Sequence, residues 1–242
     1  MDLTTFLAVG FTLALAAVHI SAGRIRGFDG VPRSIWLSSA GGITVAYVFV
    51  HLLPEVEAAG RAISERGGPL LAQFDRHAYL LALVGFLAFY GLERFVTVRR
   101  DRDTLQTESD AVFWVHIAAF GAYNLLIGYL LHNQEDPGPG SLVLFAVAMG
   151  THFLVNDYGL QEHHGEVYRN RGRWVLAGAV LIGGAIGLVT TLSELLVAYL
   201  LAFLAGSIVL NVIKEELPKQ RESRFWPFVA GAAGYAAILL VP

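Results

Sequence analysis

Among the apolar stretches of this sequence stand a few polar side chains whose spacing permits joint chemistry. His152 and Asn156 are four residues apart, so on a helix they share a face, and Asp157 follows directly. Tyr123 and Asn124 lie in the preceding apolar stretch. An imidazole, two amides, a phenol and a carboxylate can ligate a cation or pass a proton. They can also clamp helices by hydrogen bonds worth roughly 1 kcal/mol each. Both readings stand for His152 and Asn156. For Asp157 a pathway is favoured, because a carboxylate withdrawn from water needs a partner, a proton or a cation.

Further along, Glu162-His163-His164-Gly165-Glu166 is the densest run of metal-ligand residue types in the chain. On one continuous helix Glu162 and Glu166 share a face and His163 lies three residues before Glu166, an arrangement suited to a cation exit. The alternative is a solvated helix end whose acids face Arg169, Arg171 and Arg173. His51 and Glu55 flank Pro54, which ends or kinks a helix, and they suit either an outer cation entrance or an interfacial cap. His116 reads as a lone structural histidine. None of these runs is the His-Glu-x-x-His pattern of zinc hydrolases, so a non-enzyme is expected, with a membrane-embedded metalloenzyme using His163, His164 and Glu166 as a lesser alternative.

The elements that must position these side chains are apolar and long. Hydrophobic residues make up 55% of the 242, charged residues 15%, and the mean hydropathy is +0.55. Those values lie outside the soluble norm. Eight spans are expected at Leu3–Ala22, Ile35–Leu53, Tyr79–Val96, Val112–Leu131, Leu142–Leu160, Trp174–Thr190, Leu195–Val212 and Phe228–Val241, each near the length that crosses roughly 30 Å of hydrocarbon. Residues 1–242 thus form a single all-α integral membrane domain whose partner is the lipid bilayer, with a polar loop over 99–110. Met1-Asp2-Leu3 offers no basic n-region, which favours a retained first span over a signal peptide. The chain has no cysteine, which excludes disulfides and thiolate metal sites, and a net charge of −3 without a basic block argues against nucleic acid.

Loop charge sets the expected orientation, since basic residues near helix ends stay cytoplasmic. Loops after odd-numbered spans carry 14 of the 17 Lys and Arg, while Arg61, Arg66 and Arg76 alone follow even-numbered ones. Both termini of a multi-pass protein of the cell membrane are therefore expected outside. The segment from Gly42 to Pro54 also aligns without gaps on that from Gly206 to Pro218, sharing Gly, Val, Leu and Pro. One copy ends the second span and the other ends the seventh, so the copies run oppositely, as in inverted-repeat transporters.

His51-Leu52-Leu53-Pro54-Glu55, Ala202-Phe203-Leu204-Ala205-Gly206 leading to Glu216-Leu217-Pro218, and Gly128 together resemble the Zrt/Irt-like (ZIP) divalent-metal transporters over nearly the whole chain. The resemblance implies a three-plus-two-plus-three arrangement of eight transmembrane helices and a transport site on the fourth and fifth. The family motifs there are His-Asn/Ser-x-x-Glu/Asp-Gly and His-Asp/Glu-x-Pro-Glu. This chain lacks the His and the carboxylate of the first motif ahead of Gly128, and has Phe153, Val155 and Asn156 in the second, leaving His152 as the strong ligand. A transporter of a small cation is expected, its substrate a divalent metal such as Zn2+, with an altered site of Tyr123, Asn124, His152, Asn156 and Asp157. The alternative is a ZIP-fold scaffold or sensor that has lost its pore. Gly178, Gly183, Gly184 and Gly187 allow close packing within the chain or in a homodimer.

Overall fold

Runs of Leu, Val, Ala and Phe without charge leave the backbone no partner but itself, and all the regular structure among the described residues is helical. A computed structural model describes residues 2–22, 35–66, 77–102, 110–134, 138–216 and 224–240. Its helices are α1 (Leu3–Ala22), α2 (Ile35–Tyr47), α3 (Leu53–Arg66), α4 (His77–Arg102), α5 (Asp110–Leu130), α6 (Pro139–Val167), α7 (Arg173–Val189), α8 (Glu194–Glu216) and α9 (Phe225–Leu239). Among the described residues six helical stretches have the length and composition to cross a membrane, and α9 is a shorter apolar helix. Large apolar side chains lie on the outside, among them Trp36, Phe49, Leu87, Ile182 and Trp226, where lipid tails would cover them. The chain is a multi-pass helical membrane protein.

Two joints depart from the expected spans. The second span does not stop at Pro54. A π-turn over Val48–Leu52 joins α2 to α3, with the Leu53 amide reaching back to the Val48 carbonyl. That wider turn takes up the lost donor and ring bulk of Pro54, so the helix runs on to Arg66. Conversely, the 51-residue stretch Pro139–Val189 is broken at Gly165, whose φ of 53° is the left-handed conformation that glycine adopts at least cost. A second π-turn, Tyr168–Gly172, leads into α7. The first four residues of the expected polar loop 99–110 lie in α4 and its last, Asp110, opens α5, while 103–109 and the final residue of the expected eighth span, Val241, fall outside the described residues.

Side-chain contacts fix how the helices run. Leu15 lies beside Gly150 and His19 meets Asp157, so α1 and α6 are parallel. Thr12 faces Gly184 while Arg173 donates to the Ile20 carbonyl, so α1 and α7 are antiparallel, and the chain reverses between α6 and α7. The most extensive pairings sort the helices into two groups: α1, α5, α6 and α7 in one, and α2–α3, α4, α8 and α9 in the other. Packing of α6 against α2 and of α4 against α5 joins them.

Three of these pairings use one device, a reciprocal glycine crossing. A side chain at Gly42 would collide with the Phe228 carbonyl and the Ala232 amide, and one at Gly231 with the Ser39 carbonyl. In the same register, Gly206 lies on the Ala82 carbonyl and Phe86 amide, and Gly85 on the Phe203 carbonyl. Gly128 lies on the Val180 carbonyl and Gly184 amide, and Gly183 on the Leu125 carbonyl. Only a missing Cβ lets parallel backbones approach this closely. Gly183, Gly184 and Gly187 are thus spent on packing within the chain, while Gly178 has open space beside it.

Candidate functional site

Three buried polar residues of the first group, one from each helix, meet where α1, α5 and α6 cross. His19 of α1 is at their centre, 1% exposed. Its Nδ1 lies 2.9 and 3.0 Å from the two carboxylate oxygens of Asp157, and its Nε2 lies 3.0 Å from Asn124 Oδ1. Asn124 Nδ2 donates to the Phe120 carbonyl at 2.7 Å, which fixes the amide with its oxygen toward the ring. The ring therefore donates from Nε2, and one further proton is shared between Nδ1 and Asp157. Whichever atom holds that proton, the pair carries no net charge, the arrangement that low-dielectric surroundings demand. Tyr168, at the start of the second π-turn, donates to Asp157 Oδ1 at 2.5 Å and adds the remaining partner.

One turn away on α6, His152 Nε2 accepts from Asn156 Nδ2 at 3.0 Å, and the Tyr123 ring stands 5.6 Å from that imidazole. Both histidines touch Phe153, which stacks on His19 at 4.4 Å and lies 6.4 Å from His152. The five expected site residues accordingly fall into two sets on either side of one aromatic ring: Asn124 and Asp157 with His19, and Tyr123 and Asn156 with His152. The Tyr123 hydroxyl and Asn211 Nδ2 of α8 are buried with no hydrogen-bond partner among the described residues.

A second polar chain links the two helix groups. His164 Nε2 lies 2.8 Å from His116 Nδ1, His116 Nε2 lies 3.0 Å from Glu93 Oε1, and Lys214 reaches Glu93 Oε2 at 2.6 Å. His116 is therefore not isolated. The run around it separates: His163 donates to the Gly159 carbonyl, His164 turns inward, and Glu166, 80% exposed, pairs with Arg169. Glu162 is exposed, and the reversal at Gly165 removes the common helical face that Glu162 and Glu166 need. His51 and Glu55 pair at 2.9 Å on the partly exposed flank of the first π-turn. Among the described residues no three His, Cys, Asp or Glu side chains gather as a metal-holding group.

Sequence reasoning passes over His19, Glu93, Lys214 and Tyr168. For His19 a signal exists, since an imidazole inside an uncharged 20-residue helix is costly unless it meets a partner. Lys214 and Glu93 sit near helix ends, where long charged side chains ordinarily snorkel, and nothing local marks them as a pair.

Taken together, the helices and the buried paired groups define the class: a multi-pass helical membrane protein with ionisable residues inside its bundle. No protein-family model, no curated protein and no solved structure matches the chain.

Proposed function

We propose that the chain is a ZIP-like transporter of a small cation in the cell membrane, with eight crossings and both termini outside. The observation that carries this is the His19–Asp157 pair, held by Asn124 and Tyr168 at the crossing of α1, α5 and α6. An ionisable pair so placed in an apolar bundle is retained at a cost in stability, and cation or proton passage is the usual reason.

Helix direction supports the eight crossings. Counting α2–α3 as one segment, the parallel pairs α1 with α6, α2 with α9, α4 with α8 and α5 with α7 each join two odd or two even segments. Antiparallel α1 with α7, α4 with α5 (Glu93 by His116, Phe89 by Tyr123) and α5 with α6 (His116 by His164, Tyr123 by His152) each join one of both kinds. The repeated register of Gly42 and Gly206, and of Gly231 and Gly85, supports an inverted repeat relating the first three segments to the last three.

The cargo follows from the donors. A divalent metal replaces its water with several oxygen or nitrogen ligands, and at rest these residues are engaged with one another. Zn2+ or a related ion would have to open the His19–Asp157 pair, whereas a proton needs only to move along it. Phe120 and Phe153, buried between the polar sets, favour the second reading, a scaffold or sensor without a pore. Proteoliposomes separate the two: under a gradient the wild type is expected to pass zinc, manganese, iron or protons, and Asp157→Asn to pass at least tenfold less. A wild type as tight as empty vesicles, beside an active ZIP control, leaves the scaffold reading.

A further inference from the structure

All four tryptophans of the chain stand at one end of the bundle. Trp36, Trp114, Trp174 and Trp226 lie within the first two turns of α2, α5, α7 and α9, and all are exposed, from 42% at Trp114 to 76% at Trp226. These four helices run the same way. Both α2 and α5 are antiparallel to α6, since Tyr47 meets Phe145 and Thr44 meets Thr151, while His116 meets His164 and Tyr123 meets His152. The chain reverses from α6 into α7, and α9 is parallel to α2. Indole rings gather at the level of the lipid headgroups, where the apolar body and the N–H both find partners.

The start of α7 adds charge to one of these indoles. Arg173 is half-buried; it donates to the Ile20 carbonyl at 3.2 Å, capping the last turn of α1, and its guanidinium lies 5.3 Å over the Trp174 ring. Arg171 stands three residues before Trp174 on the same side of the helix, exposed and without an ion pair among the described residues. The acids nearby are Glu166, which pairs with Arg169 at 2.7 Å, and Glu162, an exposed residue of α6. Two guanidiniums unmatched by carboxylates thus flank one exposed ring. Further along the same face, Gly178 has open space beside it and Ile182 is exposed, which leaves a shallow apolar notch on the outer side of α7.

A guanidinium is a planar fork of N–H donors suited to carboxylates and phosphates. One phosphate charge neutralises one of the two arginines. A choline headgroup would bring its own cation to the second, whereas a headgroup with net negative charge brings none. A free anion would have no use for the notch at Gly178. We propose that the start of α7 binds an anionic phospholipid, with its phosphate between Arg171 and Arg173, its glycerol region against Trp174 and an acyl chain along Gly178 and Ile182. The inference rests on the chain being a multi-pass membrane protein and on no cargo.

Native mass spectrometry of the full chain in a neutral detergent, titrated with phosphatidylglycerol or phosphatidylcholine, tests it. Phosphatidylglycerol is expected to bind saturably and about fivefold more tightly than phosphatidylcholine, the worth of one arginine beside a charged headgroup. Arg171→Gln is expected to remove that preference, Arg171→Lys to keep most of it, and Arg61→Gln, at the opposite end on α3, to leave it whole. Trp174→Leu, which keeps every charge, is expected to weaken binding of both lipids. Arg171 is exposed, so its replacement spares the core, and circular dichroism identifies any variant that fails to fold. Equal binding of the two lipids by the wild type, undiminished phosphatidylglycerol binding in both folded variants Arg171→Gln and Trp174→Leu, or glycerophosphoglycerol without acyl chains binding as tightly as the lipid, overturns the proposal.

Discussion

At the scale of single residues, the partners of a buried ionisable group decide its worth. His19 and Asp157 satisfy each other within the apolar bundle. Removing one strands the other, at about 3–5 kcal/mol, whereas removing both with apolar replacements costs much less. His19→Leu alone should therefore lower the thermal midpoint in detergent sharply, and His19→Leu with Asp157→Leu should recover much of the loss. A double variant no better than the single one would show that the pair contributes little. His132 acts differently, in the turn after α5, where its Nε2 lies 3.3 Å from Thr12 Oγ1. Burial holds this imidazole below its ordinary value of 6.5. The unfolded chain therefore takes up a proton that the folded chain refuses, and stability falls as pH drops through and below that value. Acidification from about pH 7 to about pH 5.5 should lower the midpoint less in His132→Asn than in the wild type.

At the scale of elements, apolar runs were enough to place helices but not to shape their ends. The first span coincides with α1 because Leu3–Ala22 is uncharged and bounded on both sides. Pro54 misleads because its cost is local and a π-turn relieves it, a remedy with no signature in composition. The partners of His19, Glu93 and Lys214 were hidden for another reason: they depend on which helix faces meet, and hydropathy is indifferent to rotation about a helix axis. The aligned Gly42 and Gly206 were visible as a weak repeat, and their shared purpose emerges only with the two crossings in view. Substituting either with leucine should cost on the order of 1–3 kcal/mol by overpacking, while Gly178→Ala, with open space beside it, should be neutral. Equal midpoints for Gly42→Leu and Gly178→Ala would contradict the crossing.

For the whole molecule, the absence of native cysteine makes topology directly measurable. Single cysteines replacing Asp2, Glu57 or Ser193 should react with an impermeant maleimide on intact cells, and those replacing Ser21 or Asn170 only after lysis. Labelling of Asn170→Cys on intact cells would place the Arg169–Arg173 turn outside and invert the proposed orientation. The two helix groups are joined at one end by Glu93, His116, His164 and Lys214, and at the other a cavity lined by Ala58, Tyr129 and Val197 lies between them.

The crossing of α2 with α9 also constrains biogenesis. Ser38 accepts from the Arg224 amide across a separation of 186 residues, so the glycine-bearing face of α2 waits for a mate that is synthesised much later. Until then that face is either shielded by lipid or by an insertion factor, or it is open to wrong partners. Nascent chains stalled before Phe225 should consequently be more sensitive to membrane quality-control proteases than chains stalled after α9 has entered the membrane.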